Sequence, residues 1–438
     1  MPDGAQTTAF EPVLFKDIDT PGLTRREVYE QHEGYRALLR VLGGRGGERM
    51  TAEAALGEVL ASNLRGRGGA GFPTGRKWQF MPKPDGGPRY LVCNADESEP
   101  GTFKDHEIMR KNPHMLVEGM ILAAYAMGAT HGFIYLRGEF AEVKKVVDRA
   151  IAEAYEAGYL GRDILGSGFS YDLATYLGAG AYICGEETAL LDSLEGRRGF
   201  PRLRPPFPAV AGLYARPTTV NNVETIANVP AILRRGGAWF ASLGTERSGG
   251  TKVYCLSGHV KRPGNYEYPM GTPLRTLLYE AAGGPLDGRS FKCVIPGGGS
   301  AGLLLPEQFD LAMDFEPIAK AGSMLGSAGV IVMDDSTCIV RASTYLMEFY
   351  ADESCGKCTP CREGTKWLEM ALARIEEGRG EPEDLTLLQN LPTQILGNTF
   401  CGLGDAAVGF LMTATKNFWP EFEAHVHGGR CPQRGERA

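Results

Sequence analysis

The run Glu353-Ser354-Cys355-Gly356-Lys357-Cys358-Thr359-Pro360-Cys361-Arg362 repeats a cysteine at every third residue. That spacing lets one loop offer a thiolate to three iron corners of a cubane, and a remote cysteine must then reach the fourth. Cys401, in Thr399-Phe400-Cys401-Gly402-Leu403-Gly404, stands in the right region, with Cys431 in reserve within an Arg-rich polar tail. Zinc also takes four thiolates, but its sites usually arrive as two separated pairs rather than a triplet and a singlet, so the spacing favours iron–sulfur. The remaining five cysteines, Cys93, Cys184, Cys255, Cys293 and Cys338, lie in strand- or helix-like runs and read as small buried apolar residues.

A second centre is basic and rich in glycine: Arg65-Gly66-Arg67-Gly68-Gly69-Ala70-Gly71-Phe72-Pro73-Thr74-Gly75-Arg76-Lys77-Trp78. Gly66, Gly68 and Gly71 spell G-x-G-x-x-G, but the string follows an amphipathic helix and meets Pro73 and Gly75. A dinucleotide fingerprint would follow a strand and open a helix, so an ordinary Rossmann turn is not expected here. The physical content survives that failure. Bare backbone can approach a flat or phosphorylated ligand, Arg65, Arg67, Arg76 and Lys77 add positive charge, and Phe72, Trp78 and Phe80 add aromatic faces.

Asn94-Ala95-Asp96-Glu97-Ser98-Glu99-Pro100-Gly101 comes directly after a short strand, at the end where α/β sheets bind ligands. Its three carboxylates suit ribose hydroxyls or a ring N–H and would repel a 2′-phosphate. Gly178-Ala179-Gly180-Ala181-Tyr182-Ile183-Cys184-Gly185-Glu186-Glu187-Thr188 is another glycine-spaced turn, with Glu186 and Glu187 at a helix N-terminus that favours negative charge. Arg197, Arg198, Arg202 and Arg204, with Phe200 and Phe207, suit a pyrophosphate, and Asn221-Asn222 opens the helix that follows.

Strands and helices must position these groups. Apolar spacing predicts helices over 51–64, 113–127, 139–155 and 187–194, and strands over 90–93 and 133–136, an alternation that implies an α/β layer across 51–240. From Thr251 the texture changes to short strands at 251–258, 264–268, 291–295 and 329–333 around one helix, 272–282. Helices over 339–350, 365–377 and 410–424 close the chain. The fold class is therefore α/β and α+β, multi-domain: an N-terminal extension at 1–50 with a break at Gly43–Gly47, then units at 51–245, 246–334 and 335–438.

The chain has 438 residues with 46 Lys+Arg against 53 Asp+Glu, a net charge of −7 that argues against a partner made of nucleic acid or an anionic membrane surface. At 43% apolar and 23% charged it is not a disordered chain. The polar start lacks an export signal, so clustered cysteines are metal or redox groups rather than disulfides. The longest apolar run, 119–136, carries turn residues in its second half and reads as a buried helix followed by a strand, not a membrane span.

Taken together and in order, Arg65–Trp78, Cys93–Lys104, Gly178–Leu190, Thr219–Glu224, Ser354–Arg362 and Phe400–Ala407 resemble the flavin-bearing, NADH-oxidising F subunits of respiratory complex I, the NADH:quinone oxidoreductases. The resemblance implies a Rossmann-like domain for FMN and NADH, a β-grasp module similar to the SLBB type, and a helical bundle carrying a four-iron, four-sulfur cluster. It implies that the Gly66–Gly71 loop, with Arg67, Gly68, Gly69 and Ala70, runs along the cofactors. Asn94, Asp96, Tyr182, Glu186, Asn221 and Asn222 are expected at FMN, Phe72, Phe80 and Phe207 on NADH, and Glu97 and Gly185 among the cofactor-binding residues. Lys77 and Arg204 complete the cofactor set, Glu187 is expected at the adenosine ribose, and Glu99 near the nicotinamide as the catalytic candidate. Cys355, Cys358, Cys361 and Cys401 match the cluster ligands, and Arg204 stands where many relatives have Lys.

The implied activity is NADH dehydrogenation, with a hydride passing to FMN and electrons leaving singly through the cluster. The implied partners are other peripheral-arm subunits, especially a thioredoxin-like iron–sulfur subunit and the large iron–sulfur subunit. The implied location is cytoplasmic, on the inner membrane only through those partners. Diaphorase subunits of NAD-linked hydrogenases and formate dehydrogenases share the same motifs and form the alternative. A non-enzymatic subunit with structural zinc is the rival of a different class.

Overall fold

Tyr90–Ala95 (β1) is buried on both faces, with Leu91, Cys93 and Ala95 in one apolar core and Val92 in another. Such two-sided burial is what a central parallel strand requires. The computed structural model describes residues 10–44, 49–429 and 431–432; the Gly43–Gly47 break lies partly, and the Arg-rich tail beyond 432 wholly, outside them. β1 pairs in parallel with His131–Leu136 (β2) and with Thr218–Asn222 (β4), and β2 pairs in parallel with Asp172–Leu177 (β3), giving the order β3-β2-β1-β4. The strand order reverses at β1, so a crevice opens between the C-terminal ends of β1 and β4.

Helices Ala52–Ala61 (α1), Pro113–Met127 (α2) and Ala141–Glu156 (α3) bury one face of this sheet. Glu187–Leu194 (α4) covers the other with Ala189, Leu190 and Leu191. The N-terminal segment, expected as an extension, is part of the first core. Helices Arg26–Gln31 and Arg36–Leu42 bury Tyr29, Leu38, Val41 and Leu42. Two buried carboxylates fasten it: Glu118 accepts from the Tyr29 hydroxyl at 2.6 Å and the Tyr35 amide at 2.9 Å, and Glu267 accepts from the Phe15 amide at 2.7 Å. Its polar composition concealed this because the apolar residues are spaced for two short helices rather than one long one.

A second sheet has the order β6-β5-β8-β7 from Thr251–Gly258 (β5), Gly264–Pro269 (β6), Phe291–Ile295 (β7) and Gly329–Asp334 (β8). The helix expected at 272–282 is one α-turn followed by a π-turn over Leu277–Ala281. Ile339–Asp352 (α5), Thr359–Glu376 (α6), Pro382–Ile395 (α7) and Gly402–Gly428 (α8) form a bundle. α7 is a helix that the apolar spacing does not announce, and α8 bends at Phe418, just before Pro420.

Candidate functional site

The β1–β4 register sets Cys93 opposite Asn221 and Asn94 opposite Asn222. Both strands end there, and a cavity of about 410 Å³ opens beyond them. Gly68, Gly69 and Ala70 line it from the glycine-rich loop, Asn94 and Asp96 to Glu99 from the end of β1, and Tyr182, Gly185 and Glu186 from the second glycine turn. Asn222 and Cys401 complete the expected members. Gly68 has no alternative: a Cβ there would lie 2.9 Å from the Asn222 side chain. Gly71 holds φ +64 and faces the Phe315 ring, where a Cβ would sit at 2.3 Å, so it seats the loop on the second sheet's module rather than on a ligand.

Polar groups on the floor are held rigidly. Asn94 donates from Nδ2 to the Gly185 carbonyl at 2.8 Å, and Tyr182 donates its hydroxyl to Glu99 Oε2 at 2.6 Å. The other oxygen of Glu99 accepts from the Ser300 amide at 2.8 Å, and burial raises the Glu99 carboxyl. Asn222 accepts from the Glu224 amide at 3.0 Å and donates to Asp105 Oδ2 at 2.6 Å. Lys104, fully buried, ties the floor together with Nζ 2.7 Å from Asp105 and 2.9 Å from Glu224, and those carboxylates hold its ammonium well above the usual range against the cost of burial.

Two floor carboxyls are left protonatable near neutrality. Burial pushes Asp96 up to about 7, and its Oδ2 has no hydrogen-bond partner. Burial, with the Asp105 charge added, pushes Glu97 up to about 8 although Glu97 accepts the Asp105 and His106 amides at 2.7 and 2.8 Å. A buried acceptor without a partner is rare in a finished core and suits a site shaped for a ligand with N–H or O–H donors.

The structure places several expected residues outside the cavity wall. Arg67 is fully buried and donates from Nη2 to the carbonyls of Gly249 and Thr251 at 2.7 and 2.9 Å, so its side chain faces the core and only its backbone serves the loop. Gly66 donates its amide to the Phe72 carbonyl at 2.9 Å and closes the loop. Asn221 accepts from Trp78 Nε1 at 2.8 Å and is committed to that indole. Phe72 and Phe80 are exposed with ring centroids 6.0 Å apart, and Phe207 is exposed as well. Lys77 Nζ pairs with Glu187 Oε2 at 2.8 Å, and Arg204 bonds Glu186 and lies 3.6 Å from Glu187. Thr102 and Lys104, at the end of the Cys93–Lys104 string but given no role there, line the cavity with Asp105 and with Gly297, Ser300, Met324, Gly326 and Ser327 from the second sheet's loops, to which no motif points. The run Gly297-Gly298-Gly299 was the available signal: a Cβ at Gly298 would lie 2.5 Å from Glu99.

Cys355, Cys358 and Cys401, all half-buried, gather around buried Cys361 against the face of the first sheet that α4 covers. Ser354 Oγ lies 3.2 Å from Cys361 Sγ, and the Phe400 amide donates to Cys358 Sγ at 3.4 Å. Burial, together with the charges of Cys355, Glu186 and Cys361, pushes the Cys401 thiol up to about 11, a setting that a cation among the thiols would reverse. Four thiolates around one zinc ion would lie about 3.8 Å apart at its usual bond length and angle. Among the described residues the set that closes within 4.8 Å is a different one, Cys338, His425 and Cys431, so no three sulfurs of the quartet lie that close to one another. Cys401, Gly402 and Leu403 also form part of the cavity wall, which brings the two centres into contact.

Comparison with known proteins agrees with this arrangement. The family model described as "Nuo51 FMN-binding domain" matches residues 59–231, "NADH-ubiquinone oxidoreductase-F iron-sulfur binding region" matches 341–425, and "SLBB domain" matches 253–302. An NADH-quinone oxidoreductase F subunit of Rhizobium meliloti is 56% identical over 97% of this chain and 99% of its own length. The corresponding F subunit of Mycobacterium bovis is 53% identical over 98% and 96%, and that of Streptomyces coelicolor 53% over 96% and 92%. Among solved structures, an NAD+-reducing NiFe hydrogenase in the air-oxidised state superposes with a TM-score of 0.79 at 36% identity. The match covers 94% of this chain but only 66% of that one, so the chain spans less than two thirds of the hydrogenase chain. With close relatives aligned over almost their whole length and both cofactor regions matched, the chain belongs to the family of NADH-quinone oxidoreductase F subunits.

Proposed function

We propose that this chain oxidises NADH by hydride transfer to FMN and delivers the electrons singly, through a four-iron, four-sulfur cluster, to partner subunits of a respiratory NADH:quinone oxidoreductase. The observation that carries this reading is the shared wall: Cys401-Gly402-Leu403 borders the same cavity as Asn94, Asp96, Tyr182 and Asn222. FMN, when bound, supplies the conversion between a two-electron hydride and single electrons, and the cluster accepts them one at a time.

The residues present fit those groups. Gly68 to Ala70 give a side-chain-poor edge for a flat ring, Asn94, Asp96 and Asn222 offer polar atoms at the sheet's switch point, and Lys104 places a buried positive charge beneath them. Glu99 is held between Tyr182 and the Ser300 amide, fixed in position to orient the nicotinamide end of NADH. Phe72, Phe80 and Phe207, exposed beside the loop, offer stacking faces to the dinucleotide, and Glu187 meets the adenosine ribose. Cys355, Cys358, Cys361 and Cys401 hold the cluster. No described helix is long and apolar enough to cross a membrane. On the proposed reading, the chain meets the cytoplasmic face of the membrane through its partners, a thioredoxin-like iron–sulfur subunit and the large iron–sulfur subunit.

Anaerobic optical and EPR spectra before and after NADH, with NADPH as control, test the reading. Bleaching of a flavin band by NADH with a reduced-cluster signal supports it; a colourless protein that NADH leaves unchanged overturns it. The likeness to the hydrogenase chain favours a diaphorase as the second reading. Electron delivery to quinone by the assembled complex separates the two.

A further inference from the structure

At the end of the bundle remote from the cavity, Cys338, His425 and Cys431 are all buried, and their ligating atoms lie within 4.8 Å of one another. Cys338 caps the N-terminus of α5, where burial pushes its thiol up and the Arg341 amide, donating to its sulfur at 3.4 Å, offsets part of that cost. His425 Nδ1 lies 2.6 Å from the Glu421 carbonyl. A carbonyl can only accept, so Nδ1 carries a proton, and Nε2, the nitrogen a metal would take, points to Cys338 Sγ 3.4 Å away. A metal-bound imidazole is oriented by this kind of bond to a backbone carbonyl. Sulfur and imidazole nitrogen on one tetrahedral zinc ion lie about 3.5 Å apart at ordinary bond lengths. Glu376 faces the same space, with Oε2 3.7 Å from His425 Nε2 and 4.0 Å from Cys338 Sγ.

We propose that Cys338, His425 and Cys431 bind a structural divalent zinc ion, with the Glu376 carboxylate as the fourth ligand. Binding converts two thiols to thiolates, releases their two protons to solvent, and leaves the histidine neutral. Nothing is oxidised or reduced. The ion joins the start of α5 to the end of α8. Those helices run antiparallel, and their other ends lead into Cys355 and Cys401. Zinc there clips the pair of helices that presents two thiols of the cysteine quartet.

The test is metal content of the full chain, reconstituted anaerobically with iron, sulfide and FMN, and measured after gel filtration. About one zinc per chain is expected beyond the cluster iron, with an X-ray absorption edge fitted by two sulfur and two lighter ligands. Cys338→Ser and His425→Ala lose that zinc while cluster iron and flavin stay bound, whereas Cys355→Ser loses iron and keeps the zinc. His425→Cys, which replaces the imidazole by another zinc-ligating side chain, keeps zinc and answers the case in which the alanine variant does not fold. Zinc below about a tenth per chain in the wild type, zinc lost with Cys355→Ser rather than His425→Ala, or a Cys338–Cys431 disulfide in the native protein each overturn the assignment.

Discussion

The two ends of the C-terminal bundle hold sulfur in opposite ways. At the end facing the cavity, no three thiols among Cys355, Cys358, Cys361 and Cys401 lie within 4.8 Å of one another, and Cys401 borders the cavity it helps to form. About 21 Å away along α5, by the rise of its 14 residues, Cys338 sits with His425 and Cys431 in a compact, buried set. The difference teaches where to look for chemistry. Groups that leave one another incomplete, in spacing or in hydrogen bonding, mark the place where a reacting ligand arrives. Groups complete among themselves mark a fastening.

The strongest way to break that contrast is at Cys401. Replacing Cys401 by Ser is expected to abolish cluster-dependent electron delivery and the reduced-cluster EPR signal, while NADH still bleaches the flavin. An intact signal in that variant would remove Cys401 from the ligand set. The next largest effect lies on the cavity floor. Lys104→Met leaves the Asp105 and Glu224 carboxylates buried without their main cation, and costs about 3 kcal/mol in denaturant unfolding, the low end for a broken buried pair. The low end applies because Lys252 Nζ remains 3.5 Å from Glu224. A loss under about 1 kcal/mol would mean that the floor is hydrated and its charges are not held for a ligand.

How far these centres could be read from sequence follows from how local each one is. The Cys355–Cys361 run and the Asn94–Gly101 segment carry their spacing within a few residues, and both fall where expected relative to the sheet and the bundle. Cys338 could not be read the same way. Its imidazole partner is 87 residues on, and nothing around it departs from an ordinary buried cysteine. Cys431 sits beside a polar, arginine-rich tail, yet the residue is 3% exposed because α8 carries it back to α5. Arg67 misled in the other direction: a guanidinium in a glycine-rich loop suggests an anion, but two backbone carbonyls at the approach to β5 take it inward. The cavity wall from Gly297 to Ser327 was legible only in its Gly297–Gly299 run, for a further reason. It belongs to a different sheet, and only tertiary packing brings Ser300 to Glu99.

A titration separates ligand-ready polarity from structural polarity on the floor. Asp96 in the free cavity holds its proton up to about 7, whereas the unfolded chain releases it near 3.8. Between those values the folded state binds the extra proton, so stability falls as pH rises through the window and levels off above about 7. Asp96→Asn removes this term. The difference in melting temperature, variant minus wild type in the flavin-free protein, is expected to grow from pH 4 to about 7 and then to plateau. A difference independent of pH would show that Asp96 is ionised in the folded protein throughout, with its Oδ2 satisfied by water.

The smallest effect belongs to the rim, where charges are paired but not dry. Lys77 and Glu187 meet at 2.8 Å with side chains 31% and 23% exposed, and Glu187 also stands at the first turn of α4. An ion pair so placed contributes at most about 1 kcal/mol, so Glu187→Gln should fold normally. Its consequence is selectivity. With the carboxylate gone, Lys77 faces the ribose end without its countercharge while Arg204 keeps Glu186, and a 2′-phosphate meets attraction where it had met repulsion. The NADH-to-NADPH ratio of kcat/KM is expected to fall roughly fivefold, the equivalent of about 1 kcal/mol. The change should enter through KM for both dinucleotides with kcat unaltered, because a rim contact is made equally before and during hydride transfer. A drop in kcat instead would move Glu187 from the rim to the reacting centre and shift the boundary between the two kinds of polar group inward.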